Sequence, residues 1–181
     1  LIITDELKLT DAEKVAAALP HAVSAPASWD WRSVDGKKYT TPMQNQGDCG
    51  SCVAFGSTAT FETTKMVFDQ SPQEPDIKRS EADLFSNGGS CASGWTLERA
   101  NSALQSKGVC SEACWPYNGG QQPCAATTRI KILSATRITS AADAKNWRST
   151  GGAIQVALDV YEDFFNYDSV VYRYSYVSLE C

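Results

Sequence analysis

An α+β fold is predicted from the way two kinds of segment divide the 181 residues. Between Ser51 and Gly108 the apolar residues are helix-spaced and carry start and stop signals. Past Ile130 the apolar and aromatic residues fall into short β-leaning runs. A third observation locates the chemistry: of seven cysteines, two stand at Cys49-Gly50-Ser51-Cys52, just before the longest predicted helix.

Residues 1–23 read as an appendage. Thr10-Asp11-Ala12-Glu13 has capping-box spacing and opens a short helix over Glu13–Leu19, closed by Pro20. Ser24-Ala25-Pro26-Ala27-Ser28 then forms a linker ahead of Trp29-Asp30-Trp31. Thr40–Gly50 is polar and turn-forming. A helix is predicted from Ser51 to about Asp69, with Val53, Ala54, Phe61 and Phe68 on one stripe and Phe55, Ala59 and Met66 beside it. Ser80-Glu81-Ala82-Asp83 starts a second helix, and Leu97–Lys107 is a third, stopped by Gly108. In the second half, Ile130–Leu133, Ala153–Val160 and Val170–Tyr176 lean to strand, with a short helix over Asp143–Arg148.

Composition narrows the function. Hydrophobic residues at 43% and charged residues at 20% are ordinary for a globule, and a chain this long buries about 70% of its unfolded surface. Sixteen basic against twenty-one acidic residues give a net charge of −5, which argues against nucleic acid or an anionic membrane as partner. No apolar run approaches the roughly 20 residues of a membrane span.

Cys52 stands at or near a helix N-terminus, where unpaired N–H groups and the helix dipole favour a thiolate, the nucleophilic form. Six residues earlier Gln46 offers an amide donor that, with the backbone N–H of Cys52, can stabilise an oxyanion. Three readings of the stretch stand open. Both cysteines are structural, or Cys49 and Cys52 form a thioredoxin-type redox pair, or Cys52 is a catalytic nucleophile beside a structural cysteine. The polar approach Asn45-Gln46-Gly47-Asp48 and five further cysteines weigh against the redox pair.

The stretch Asn45–Phe55, NQGDCGSCVAF, resembles the active-site segment of the papain-like cysteine peptidases, the cathepsin family. The likeness extends over residues 24–181: Trp29–Arg32 resembles the family's mature N-terminal segment, and Ser80–Leu84 the helix after the active-site helix. Cys91-Ala92-Ser93-Gly94-Trp95 resembles a substrate-binding turn, Trp115-Pro116-Tyr117 with Cys124 a Tyr-Pro-Tyr block, and Gly152–Leu158 and Asp163–Tyr172 strands of the β half.

The resemblance implies a two-lobed fold, with a helical lobe over about residues 35–129, an incomplete β-barrel lobe over about 130–181, and a cleft between them. It makes residues 1–23 the tail of an inhibitory propeptide, Cys52 the nucleophile and Gln46 the oxyanion-hole side chain. It pairs Cys49 with Cys91. It gives Gly94 a backbone contact to an extended substrate, sets Trp95 and Ala157 around the pocket for the side chain two residues before the cut, and adds Gly50, Ser51 and Ser93 to the substrate-binding set. The implied partners are peptide or protein substrates, the chain's own propeptide, protein inhibitors or a C-terminal second chain. No cofactor or metal is expected.

Two positions depart from the family pattern. Val53 replaces the usual Trp or Tyr after the nucleophile, which leaves less cover over a catalytic ion pair. The family's His and Asn fall about 130–150 residues after the cysteine, past Cys181, and the single histidine, His21, reads as a surface residue of the appendage. The chain, which opens at Leu1 and stops within an aromatic run, is therefore expected to be a piece of something longer and poorly active alone. The resemblance makes Cys124 one half of a family disulfide whose usual partner near Asn87 is absent, which leaves Cys110 and Cys114 as candidate partners, and it implies a partner for Cys181 further downstream. A zinc site among the later cysteines is a weak alternative. The aromatic run Tyr161–Tyr176 reads as core and strand packing, with a stacking platform as the remote alternative. Disulfide usage points to a secreted, extracellular or periplasmic location, or a lysosomal or vacuolar one.

Overall fold

The computed structural model describes residues 2–4, 25–117, 129–158 and 160–168. The Glu13–Leu19 helix and the Val170–Tyr176 strand predicted above lie outside them. Along the chain come β1 (Ile2–Thr4), α1 (Cys52–Phe68), α2 (Glu81–Phe85), α3 (Leu97–Ser106), β2 (Lys131–Ser134), α4 (Ala141–Thr150) and a 3-10 turn at Glu162–Asn166. Helix and strand are mixed, as an α+β chain requires.

Three helices start where their caps dictate. Ser80 accepts from the N–H of Asp83, Thr96 from Arg99 and Ser140 from Asp143, each satisfying a donor that the first turn leaves open. α1 is different: Ser51 holds the N-cap position, yet its side chain caps nothing, and no acidic residue occupies the first turn.

α1 packs against α2 and α3, and α3 lies on β2. Their shared core is Ala54, Phe61, Leu84, Ala103, Leu104, Val109 and Ile132, with Phe85, Trp95 and Ile130 against its edge. Of the stripe expected on α1, Ala54, Phe61 and Met66 are buried, whereas Phe68 is 60% exposed and Ala59 faces solvent. The second half of the helix is instead buried through polar residues, including Ser57, Thr58, Glu62, Thr63, Thr64 and Lys65.

β1 pairs antiparallel with β2 in a two-stranded sheet, Ile3 opposite Ile132 and Thr4 opposite Lys131, with a bulge between Ile2 and Ile3. The strand expected over Ala153–Val160 is not formed among its described residues. Its apolar members Val156, Leu158 and Val160 are 70%, 56% and 56% exposed, and no strand among the described residues offers them a ladder. Among the described residues the second half thus contributes one strand, β2, paired with the N-terminal β1, together with α4 and the 3-10 turn, and the barrel expected of a β lobe is not seen there.

Candidate active site

Helix α1 begins on the candidate nucleophile: Cys52 is its first residue, a free and exposed thiol. The lack of a side-chain cap leaves the positive end of the helix dipole uncompensated around it.

The approach to Cys52 is a chain of tight turns. Asn45 Oδ1 accepts from Gly47 N–H at 2.9 Å, and Ser51 N–H donates to Cys49 O at 2.7 Å. Gln46 Nε2 donates to Cys49 O at 2.8 Å; a primary amide has two N–H donors, so one is held by the loop and one is left over for chemistry. Cys49 is bonded to Cys91, and Gly50 N–H donates to Cys91 O at 3.0 Å. A Cβ on Gly50 would stand 2.8 Å from that oxygen and 3.2 Å from Gly94 Cα, so only glycine lets the two turns approach this closely.

The structure thereby gathers Gln46, Cys49, Gly50, Ser51, Cys52, Cys91 and Gly94 into one cluster. Gly94 has φ +71°, and its N–H and C=O are paired with Ser90 at 2.7 and 3.1 Å. Ser93 is exposed on the same turn. Trp95 is half-buried and meets the Phe85 ring edge-to-face at 6.3 Å, packing onto the core. Ala157 is exposed. The bond from Cys49 to Cys91 removes Cys49 as a partner for Cys52, so the thioredoxin-type pair is not what this structure contains.

Several residues of segments that the sequence marked without giving them a role support the site. Gln155 reaches onto α1: its Nε2 donates to Val53 O at 3.1 Å, and its Oε1 accepts from Ser57 at 3.0 Å. Trp31 Nε1 donates to Gly152 O at 3.3 Å, tying the segment ahead of the site to the same stretch. The Tyr117 hydroxyl meets Ser51 Oγ at 2.7 Å and donates to Gln46 O at 3.1 Å.

Behind α1 lies a buried carboxylate network. Glu62 accepts from Thr41 Oγ1 at 2.6 Å and Arg79 N–H at 2.7 Å, with Lys78 at 3.5 Å. Glu81 accepts from Thr58 and Lys78, and Asp83 from Arg129 at 2.5 Å and Cys110 N–H at 2.9 Å. Burial raises the Glu62 carboxyl above its ordinary value against these partners, and it raises Glu112 as well. The Cys110 thiol, buried and beside Asp83, is pushed up to about 11. Cys110 is free and Cys114 is disulfide-bonded, so Cys114 is the cysteine of the two that has taken a partner.

A cavity of about 630 Å³ lies away from this cluster, lined among others by Asp76, Lys78, Arg79, Ser111 and Arg129. Its cations are held by neighbours: Lys78 by Glu81, Arg129 by Asp83, and Arg79 by the carbonyls of Ile77 and Asp76. No chemistry is assigned to it. Among the described residues no helix is long and apolar enough to cross a membrane.

Fold and site together present the free, exposed thiol of Cys52 at a helix start. Residues 25–180 match the family described as Papain family cysteine protease, and the chain belongs to that family. It is similar to a cathepsin L-like proteinase of Fasciola hepatica, 28% identical over 181 residues, covering 91% of this chain and 53% of that protein. Human cathepsin L2 is 30% identical over 165 residues, covering 84% of this chain and 47% of that one. Among solved structures, bromelain from Ananas comosus bound to the E64 inhibitor aligns at 30% identity with a TM-score of 0.48, over 60% of this chain and 49% of that one. The chain spans about half the length of the curated relatives it matches.

Proposed function

We propose that the chain carries the nucleophilic half of a cysteine endopeptidase. The Cys52 sulfur attacks a peptide carbonyl. The developing oxyanion is met by the free N–H of Gln46 and the backbone N–H of Cys52. Collapse expels the amine and leaves a thioester on Cys52, which water then hydrolyses. The imidazole that moves the protons, and the asparagine that orients it, come from residues after 181 or from a second chain. Peptide or protein substrates, a propeptide over residues 1–23 and protein inhibitors are the partners this reading assigns, in a secreted, periplasmic or lysosome-like compartment.

The observation that carries the proposal is the exposed, free Cys52 at a helix start with neither cap nor acid. Family membership supports it. With the residues that supply the imidazole present, an epoxide-peptide inhibitor of the E64 type is expected to add once at Cys52, seen as a mass increase that Cys52→Ser abolishes. No adduct, under conditions where iodoacetamide labels Cys52 readily, would overturn the peptidase reading. It would favour an inactive papain-like homologue that binds peptides or inhibitors, the second reading, which the single histidine of the sequence supports.

A further inference from the structure

Serine at an N-cap ordinarily turns its hydroxyl onto the N–H groups of the first turn. Ser51 is wholly buried at the N-cap of α1 and does not. Its Oγ goes instead to Tyr117 Oη at 2.7 Å, 66 residues away. The phenol in turn donates to Gln46 O at 3.1 Å, 71 residues away. A phenol has one hydrogen. With that hydrogen given to Gln46 O, Ser51 is the donor to Oη at 2.7 Å, in preference to its longer 3.4 Å approach to Cys49 O, and the order is Ser51 to Tyr117 to Gln46.

The phenol is well held. Its ring meets Phe55 edge-to-face at 4.7 Å, and the Tyr117 N–H donates to Glu112 Oε1 at 2.8 Å. The preceding Trp115 is buried, its carbonyl accepts from Ser80 Oγ, and Cys114 is disulfide-bonded. Tyr117 therefore joins, from a fixed base, the two backbone points that flank the oxyanion donors. Gln46 carries the amide, and Ser51 precedes the N–H of Cys52. Between those points the chain contains Gly47 and Gly50 and has freedom of its own.

We propose that Tyr117 is a positioning residue that sets the spacing of the two oxyanion donors. The inference rests on the peptidase reading above. Loss of its hydroxyl weakens whatever puts negative charge on that oxygen and leaves the sulfur's own reactivity alone.

Two reagents at the same sulfur separate the effects. A peptide aldehyde adds the Cys52 S–H across its C=O, so an S–C bond forms and the new hemithioacetal oxygen occupies the oxyanion site. Iodoacetamide alkylates the same sulfur with loss of iodide and builds no such oxygen. Tyr117→Phe keeps the ring on Phe55 and is expected to weaken aldehyde binding roughly tenfold, less than deleting a donor outright, with the iodoacetamide rate at Cys52 unchanged. Ser51→Ala, which cuts the other bond of the relay, is expected to give the same split. Equal losses toward both reagents in the two variants would reveal a bracing role only and overturn the proposal, as would two variants indistinguishable from the parent. A parent chain that reacts with iodoacetamide but binds no aldehyde would overturn the peptidase reading itself, and this inference with it.

Discussion

Glu62 is the residue whose environment makes the sharpest demand. Its carboxyl is wholly buried, ten positions after Cys52 on the active-site helix, and burial outweighs the bonds from Arg79 N–H and Thr41 and the charge of Lys78 in setting its proton affinity. Because the folded carboxyl holds its proton more tightly than the unfolded one, folding is favoured by this group at low pH. That contribution declines as pH rises through the ordinary value of 4.5 and goes on declining until the folded group has ionised. Glu62→Gln preserves the shape and removes the titration. The fall in urea midpoint between pH 4 and pH 7 is expected to be smaller in the variant than in the parent, and equal falls would mean that Glu62 is not the group responsible. None of this was legible in the sequence. A glutamate four positions from both Thr58 and Met66 reads as the solvated side of a helix, and only the arrival of Lys78 and Arg79 from a distant segment makes its burial tolerable. Cys52 and Gln46, by contrast, stand within one short polar run whose residue types already declare their chemistry.

At the level of elements, what the sequence encodes locally was readable and what depends on partners was not. Ser80 and Thr96 mark their helices because a cap is a contact over three residues. Ser51 also stands at the N-cap of a helix, yet its hydroxyl serves Tyr117. Ala153–Val160 has strand-like apolar alternation, but alternation names a face and supplies no neighbour to pair with. Instead the segment contributes Gln155, pinned to α1 at both ends of its amide. That contact defines the environment of Gly56, where an added Cβ would stand 2.8 Å from Gln155 Nε2. Alanine is better than glycine in a helix by about 1 kcal/mol, yet here it displaces two hydrogen bonds worth about 1 kcal/mol each. Gly56→Ala alone is therefore expected to destabilise the chain by about 1 kcal/mol. The same change in a Gln155→Ala background is expected to stabilise it. A denaturation double-mutant cycle reads the difference, and additive effects would show that Gln155 does not restrain the helix.

For the whole molecule, four long-range ties converge on the segment before and around α1. Trp31 reaches Gly152, Gln155 reaches Val53 and Ser57, Tyr117 reaches Gln46 and Ser51, and Cys49 is bonded to Cys91. That convergence accounts for the uneven legibility of the fold. Motifs marked the candidate nucleophile, whereas the contacts that brace it join residues 42 to 121 positions apart and have no local signature. The last of these ties has a mechanical consequence. A chain stretched by its two ends transmits force around, and not through, a covalently closed loop. With Cys49 and Cys91 joined across 42 positions, full extension is expected to fall short by roughly 140 Å and to regain that length on reduction. A pulling trace of equal length with and without reductant would mean the bond does not form in solution. Cys52 and all of α1 lie inside the loop, so a chain under tension can lose the rest of its fold before any load reaches the nucleophile.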